Sequence, residues 1–242
     1  MKTGISTASL FGRYKTEDAI TFLDKNNVET AEVFLESFCE YNKKFGKILQ
    51  KKKNNIDIHS VHVLTTQYEP TICSLNERAR EDSFKLLDGA MACAEKIGAK
   101  YYTFHGTARL KKLPININFD HVGKYINLAE DVCEKHGVKI AYENVHWCYY
   151  NYIGFFNELK KRVPRLKGTF DIKQARLSNV DYKDYIKEMG SDIVTVHLSD
   201  INEEGKMCLP GKGITDFNDI FNRLHDVGFD GAMLIEVYKG DY

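Results

Sequence analysis

VKIAYENVHWCYYNYIGFFNELKKRVPRLKGTFDI, residues 138–172, reads as strand, turn, helix, strand. Its two ends, VKIAYENV at 138–145 and LKGTFDI at 166–172, are short apolar runs rich in β-branched and aromatic side chains. Between them, 151–162 carries apolar residues at helical spacing. Strand, helix and strand in that order form the repeating unit of an α/β fold.

The alternation continues outward in both directions. Upstream lie GIST near residue 4, TAEVFL at 30–35, IDIHSVHV at 56–63 and AKYYTFHG at 99–106; downstream lie DIVTVHLSD at 192–200 and AMLIEVY at 232–238. That makes eight strands. Helix signals fall between them: Thr16 before Glu17 and Asp18, a capping box Ser74-x-x-Glu77 opening a long helix that stops at Gly98, and a helix from Asp120 to His136 stopped by Gly137. Segments 181–189 and 215–227 complete the series, the last ending at Gly228. Eight strand-then-helix units in 242 residues, with no linker or shift of composition, predict a single domain over 1–242, an α/β (β/α)8 TIM barrel. G-x-G-x-x-G is absent, and PGKGIT at 210–215 has Gly where a P-loop needs Ser or Thr after Lys212, so nucleotide binding has no motif support.

Composition narrows the function classes. With 43% apolar and 12% aromatic residues and four prolines, the chain can fill a core and is not intrinsically disordered. Its 34 Lys+Arg balance 34 Asp+Glu. The missing basic excess argues against a nucleic-acid partner, and the run Lys51 to Lys53 reads as a helix C-terminus. No apolar run reaches the length of about 18 residues that a membrane span needs, and MKTGISTASLFG is too polar for a secretory signal. Six scattered cysteines without a C-x-x-C pair read as reduced thiols, so a cytoplasmic protein without membrane association is expected. The sequence leaves homo-oligomerisation open.

In barrels of this kind chemistry sits at the C-terminal ends of the strands. There the chain places His62, His105, Glu143 with Asn144, Asp171, His197 and Glu236, on six of the eight strands. Glu143, Asp171 and Glu236 have no Arg or Lys in obvious register on neighbouring strand ends, so a divalent cation is the expected neutraliser. Oxygen-rich ligation with one imidazole suits Mn, Mg or Co and permits Zn. Glu32 reads as a structural ion-pair partner. Strict alternation puts His59 on the face opposite His62, which makes His62 the inward residue and His59 structural.

SVHV with His62, FHG with His105, YENV with Glu143 and Asn144, FDIKQA with Asp171, VHLSD with His197 and Asp200, LPGKG, and IEVY with Glu236 together carry a resemblance over nearly the whole chain. Their order and spacing resemble the xylose-isomerase-like TIM barrels, which join sugar-phosphate isomerases and epimerases to zinc-dependent apurinic/apyrimidinic endonucleases. The resemblance implies that Glu143, Asp171, His197 and Glu236 bind one divalent cation. It also implies that Glu143 and Glu236 are the catalytic acid/base pair, moving protons through an enediolate of a small sugar, keto-sugar or sugar phosphate. His62, His105, Asn144 and Gln174 are the expected substrate contacts, with His62 and His105 alternatively serving a second metal through Glu143. Strands 5 and 8 lie three steps apart on an eight-stranded ring, so their carboxylates can reach a bound sugar from different sides.

Several positions depart from the family pattern. Gln174 stands where many members carry a His, and an amide is a poor metal ligand, which argues against a third metal. NEEGKMCLPGKG lacks the Asp-x-His of the endonuclease branch, and Glu203 stands near the place of an Arg in some keto-sugar epimerases. Three competing functions remain: an endonuclease-like phosphodiesterase, a dehydratase or lyase, and a non-catalytic sugar-binding barrel. Trp147 reads as a sugar-stacking, core or lid residue, and Lys212 as a phosphate contact or part of a tight turn. The loops after strands 1, 4 and 7 are expected to choose the substrate.

Overall fold

The computed structural model describes residues 1–64, 67–109 and 116–242. Residues 110–115 of the loop after the fourth strand, to which substrate choice was partly assigned, lie outside the described residues. Eight parallel strands close into a barrel: β1 (Lys2–Ser6), β2 (Thr30–Leu35), β3 (Asp57–Val63), β4 (Tyr101–Phe104), β5 (Lys139–Glu143), β6 (Lys167–Asp171), β7 (Ile193–Leu198) and β8 (Ala232–Ile235). Strands adjacent in sequence are hydrogen-bonded neighbours, and β8 closes the ring on β1. All six side chains of β2 are buried. Strands covered on both faces read as apolar runs, and TAEVFL is one interrupted by Glu32, whose carboxylate is buried inside the ring.

The outer layer holds α1 (Thr16–Lys25), α2 (Lys43–Lys52), α3 (Glu77–Ile97), α4 (Phe119–Lys135), α5 (Phe155–Lys160), α6 (Ile172–Leu177), α7 (Tyr182–Met189) and α8 (Phe217–Asp226). The alternation departs from one helix per strand in two places. Both α6 and α7 follow β6, and no helix follows β8 among the described residues. α6 is six residues long and starts on the residue after the strand, too short to display a helical period.

Leu87, Ala90, Met91, Ala94 and Ile97 recur at helical spacing along α3 and are buried. Burying a side chain such as Leu87 contributes about 1.5–3 kcal/mol, which holds the longest helix to the barrel. Its N-cap is Asn76, whose side chain accepts from the Ala79 amide, and not Ser74 as the capping-box spacing suggested. Ser74 Oγ instead accepts from the Asn76 amide at 3.1 Å. Gly98 ends α3 with φ 77°, the left-handed conformation expected of a glycine stop.

His59 corrects the alternation argument. The β2–β3 register shifts between Ala31 and Glu32, where Ile58 and then Ser60 are the paired residues. His59 is the extra residue of that irregularity, and its Nε2 lies 3.0 Å from both Val194 O and Thr195 Oγ1 of β7 on the far side of the ring. Both His59 and His62 therefore face inward, because a bulge resets the two-residue period. His59 keeps a structural position, far from the strand ends where His62 sits.

Candidate active site

The inward side chains at the C-terminal ends of β5, β6, β7 and β8 converge on one imidazole. His197 Nδ1 lies 2.7 Å from Glu236 Oε2, 3.2 Å from Glu143 Oε1 and 3.7 Å from Asp171 Oδ2. The ladder accounts for this convergence: Asp171 is the register partner of His197, and the Glu236 amide donates to Leu198 O at 3.0 Å. All four side chains are buried. Glu236 Oε2, although close to the ring, has no hydrogen-bond partner. A single N–H cannot serve three carboxylates, so the donor set suits a divalent cation bound among Glu143, Asp171, His197 and Glu236.

The other ring nitrogen faces Glu32. His197 Nε2 is 3.1 Å from Glu32 Oε1, and Glu32 is itself held by hydroxyls from three further strands. Ser6 Oγ donates to it at 3.0 Å, Ser60 Oγ at 2.8 Å and Thr103 Oγ1 at 2.6 Å. A ligand atom of Glu32 also lies within 4.8 Å of those of His197 and Glu236, so Glu32 sits where a structural partner or a metal ligand would.

The charges shape one another. Burial disfavours the His197 cation, but Glu236, Glu32 and Glu143 overcome it and push its pKa well above the ordinary value. Burial would likewise raise Glu143, yet His105 and His197 hold it well below the usual carboxylate range. Glu236 is held low by His197 and Lys173 in spite of its burial. Asp171 goes the other way: burial raises it more than Lys173 and His197 lower it.

Lys173 corrects the expectation that no cation lies near the carboxylates. Two residues beyond β6, it feels the charges of Asp171, Glu236 and Glu143, which together overcome its desolvation and raise its pKa. Its sequence position gave no sign of this, because Lys173 lies in the first turn of α6, and the direction in which that short helix leaves β6 is not written in the local pattern.

His62 and His105 form the second half of the site, with ring centroids 4.5 Å apart. His62 Nδ1 is 3.0 Å from Thr103 O. A carbonyl only accepts, so Nδ1 carries the proton and Nε2 keeps its lone pair. Burial and neighbouring His105 lower the His62 pKa, favouring this neutral form. His105 Nε2 is 2.7 Å from Glu143 Oε2, and burial is outweighed by Glu143 in raising its pKa. Ligand atoms of His62, His105 and Glu143 lie within 4.8 Å of one another.

The two amide residues hold the site from behind. Asn144 Nδ2 donates to Asp171 O at 2.9 Å and its Oδ1 accepts from Asp171 N at 2.8 Å, so both ends are engaged with the Asp171 backbone. Gln174 Oε1 accepts from the His146 amide at 3.2 Å and lies 2.6 Å from His146 Nδ1. The Gln174 amide donates to Asp171 Oδ1 at 2.7 Å, the N-cap bond of α6. Trp147 is half-buried and meets the His105 ring edge to face at 5.6 Å.

Sequence reasoning missed two further groups. Glu69 accepts from the His105 amide at 3.0 Å and from Tyr102 Oη at 2.5 Å, and burial pushes its pKa up to about 7. Tyr238 Oη donates to Glu236 Oε1 at 2.6 Å. Both lie beyond strand ends, where spacing carries no signal. LPGKG forms a tight turn around a carboxylate of the chain itself: Asp200 accepts from the amides of Ile201, Gly211, Gly213 and Thr215 at 2.8–3.1 Å. Those amides already have their anion, and Lys212 belongs to the turn, its amide donating to Leu209 O.

Comparison with known proteins agrees with this architecture. The family model described as xylose isomerase-like TIM barrel matches residues 19–241. The crystal structure of a D-tagatose 3-epimerase-like protein is similar at TM-score 0.81 and 21% identity, covering 100% of this chain and 92% of that one. The IOLI protein with a bound zinc atom is similar at TM-score 0.80 and 17% identity, covering 98% and 89%. An uncharacterized protein of Methanocaldococcus jannaschii, MJ1311, is 23% identical over 98% of this chain and 83% of its own length. With the closed eight-stranded ring and the family model spanning nearly all of it, the chain belongs to the xylose isomerase-like TIM barrel family.

Proposed function

We propose that the protein is a metal-dependent isomerase or epimerase of a small sugar, with a ketose or a sugar phosphate as the substrate class. The observation that carries this reading is the approach of Glu143 and Glu236, from strands three steps apart, to one buried imidazole nitrogen, at 3.2 and 2.7 Å. A divalent cation held by Glu143, Asp171, His197 and Glu236 would polarise a substrate carbonyl and stabilise the negative charge that builds when the adjacent proton leaves.

The chain's own residues supply the proton chemistry. Glu143 and Glu236, both held ionised, are positioned to remove a proton from one side of a bound sugar and to return it from the other. His62 presents an unprotonated Nε2 that can accept from a sugar hydroxyl. His105, sharing Glu143 Oε2, acts as donor on the same side. Asn144 and Gln174 serve the substrate through Asp171 and His146, whose positions they hold. Six free thiols support a cytoplasmic setting.

A screen of ketoses and their phosphates in deuterated water tests the assignment. Exchange of a carbon-bound hydrogen is expected with the metal-supplemented protein. Glu143→Gln and Glu236→Gln are each expected to lower turnover by about 100-fold or more, with the circular dichroism spectrum kept. Unchanged turnover in both variants refutes the roles given to them. The cluster of His62, His105 and Glu143 favours a second reading, phosphodiesterase chemistry at a second metal. Cleavage of an abasic-site duplex by zinc-supplemented protein tests that alternative.

A further inference from the structure

We propose that Tyr238 and Lys173 are positioning residues that hold one oxygen of Glu236 and so dedicate this carboxylate to one side of the substrate. The inference rests on the isomerase reading and extends it to two side chains outside the carboxylate cluster. The two oxygens of Glu236 have different surroundings. Oε1 accepts from Tyr238 Oη at 2.6 Å, whereas Oε2 has no hydrogen-bond partner and faces His197 Nδ1 at 2.7 Å. A carboxylate clamped through one oxygen loses rotational freedom, and the other oxygen is left in a defined direction.

Tyr238 is itself held from two directions. Its amide donates to Asp241 Oδ2 at 2.8 Å, and the Asp241 amide donates back to Tyr238 O at 2.9 Å, which closes a turn just past β8. Lys173 Nζ lies 4.4 Å from the centroid of its ring. A cation over the face of a phenol withdraws charge from the ring and makes the hydroxyl a stronger donor. A phenol carries its proton at neutral pH, so Tyr238 Oη is the donor and the carboxylate the acceptor. Lys173 follows β6 and Tyr238 follows β8, with β7 between them in the ring. Their contact therefore joins the strand ends on either side of His197. Glu143 has no part in this clamp: its oxygens face His105 and His197. The two glutamates are thus held by different partners, a phenol for one and an imidazole for the other.

Hydrogen exchange from each epimer of a turned-over sugar, measured separately in deuterated water, tests the division. In Tyr238→Phe, exchange from the epimer that Glu236 deprotonates is expected to fall about 10-fold, the loss of one hydrogen bond to a charged group. Exchange from the other epimer and the KM of both are expected to change less than about 2-fold. Lys173→Met is expected to slow the same epimer by about 3-fold, with recovery in Lys173→Arg, which keeps a cation over the ring. Equal losses from both epimers, or no loss from either, overturn the proposal. Crystal structures of metal-loaded wild type and Tyr238→Phe supply a readout independent of turnover. A Glu236 carboxylate rotated from its wild-type direction is expected, and an unmoved one overturns the proposal. If the wild type exchanges hydrogen with no sugar, the isomerase reading fails, and the two crystal structures decide the positioning role by themselves.

Discussion

Glu32 Oε1 sits 3.1 Å from Nε2 of His197, on the edge of the imidazole away from Nδ1 and the three carboxylates gathered there. A neutral imidazole has one N–H. With a cation on Nδ1 that proton lies on Nε2, toward the charge of Glu32, although the 3.1 Å contact lacks hydrogen-bond geometry. Three hydroxyls fix Glu32 in turn, so the orientation of His197 is set from β1, β2, β3 and β4.

Glu32→Gln weakens the hold on that tautomer without emptying the space. Affinity for Mn or Zn is expected to drop by about 10- to 100-fold, the usual effect of losing the partner of a metal-binding histidine. Isothermal calorimetry measures it. Wild-type affinity in the variant would show that the contact is only packing.

Proton release accompanies metal binding. The carboxylates around His197 raise its pKa, so the metal-free ring carries a proton at neutral pH, and a cation reaches Nδ1 only by displacing it. Affinity should therefore rise with pH until the raised pKa is passed, with about one proton released per ion near pH 7. Calorimetry in two buffers of different ionisation heat reads that number directly. Binding with no proton exchange contradicts the assignment of His197 as a ligand.

The turn around Asp200 is a separate source of stability. Burial raises the Asp200 pKa, but the bonds from Thr215, Ile201 and Gly213 outweigh it and leave the group below the ordinary range. Its contribution is therefore present above the unfolded pKa and fades as pH falls through the lower folded value. Asp200→Ala leaves four amides without their acceptor and is expected to cost about 2 kcal/mol or more at pH 7 by chemical denaturation. Gly213→Ala should also destabilise, since a Cβ there would lie 2.1 Å from Ile201 O. A denaturation midpoint unchanged in both variants would count against the turn.

Glu130 on α4 works against stability at alkaline pH. It is fully buried, its Oε1 has no partner, and burial pushes its pKa up to about 7 in spite of the Ile140 amide. A raised carboxylate pKa favours the folded state below the unfolded pKa, and that advantage is lost as pH rises through the folded value. Glu130→Gln should therefore stabilise by an amount on the order of 2 kcal/mol at pH 8 and far less at pH 5. Equal denaturant midpoints at both pH values would contradict the burial argument.

How much was legible follows from where each residue sits. TAEVFL could be read as β2 with its boundaries intact, because a strand buried on both faces is mostly apolar and Ala31, Val33, Phe34 and Leu35 mark it. Glu143, Asp171, His197 and Glu236 were legible because ionisable groups at consecutive strand ends have few other reasons to be there. The Asn76 cap was not separable from Ser74, since both residue types cap helices and only the path of the chain chooses between them. The inward turn of His59 depended on a bulge between β2 and β3, which a strict two-residue period cannot contain. Lys173, Tyr238 and Glu69 lie past the strand ends, where direction depends on how each loop folds back.

The amino-acid sequence by itself determined the number and order of the strands, the barrel, and the residues brought to its C-terminal rim. Periodic burial is a local property, written into side chains a few positions apart. Only the tertiary structure decided which nitrogen of His197 meets the carboxylates, that Glu32 backs the other, and that Lys173 and Tyr238 meet beside Glu236. Those relations join seven residues from across the ring, and they follow from its closure, which no local pattern encodes.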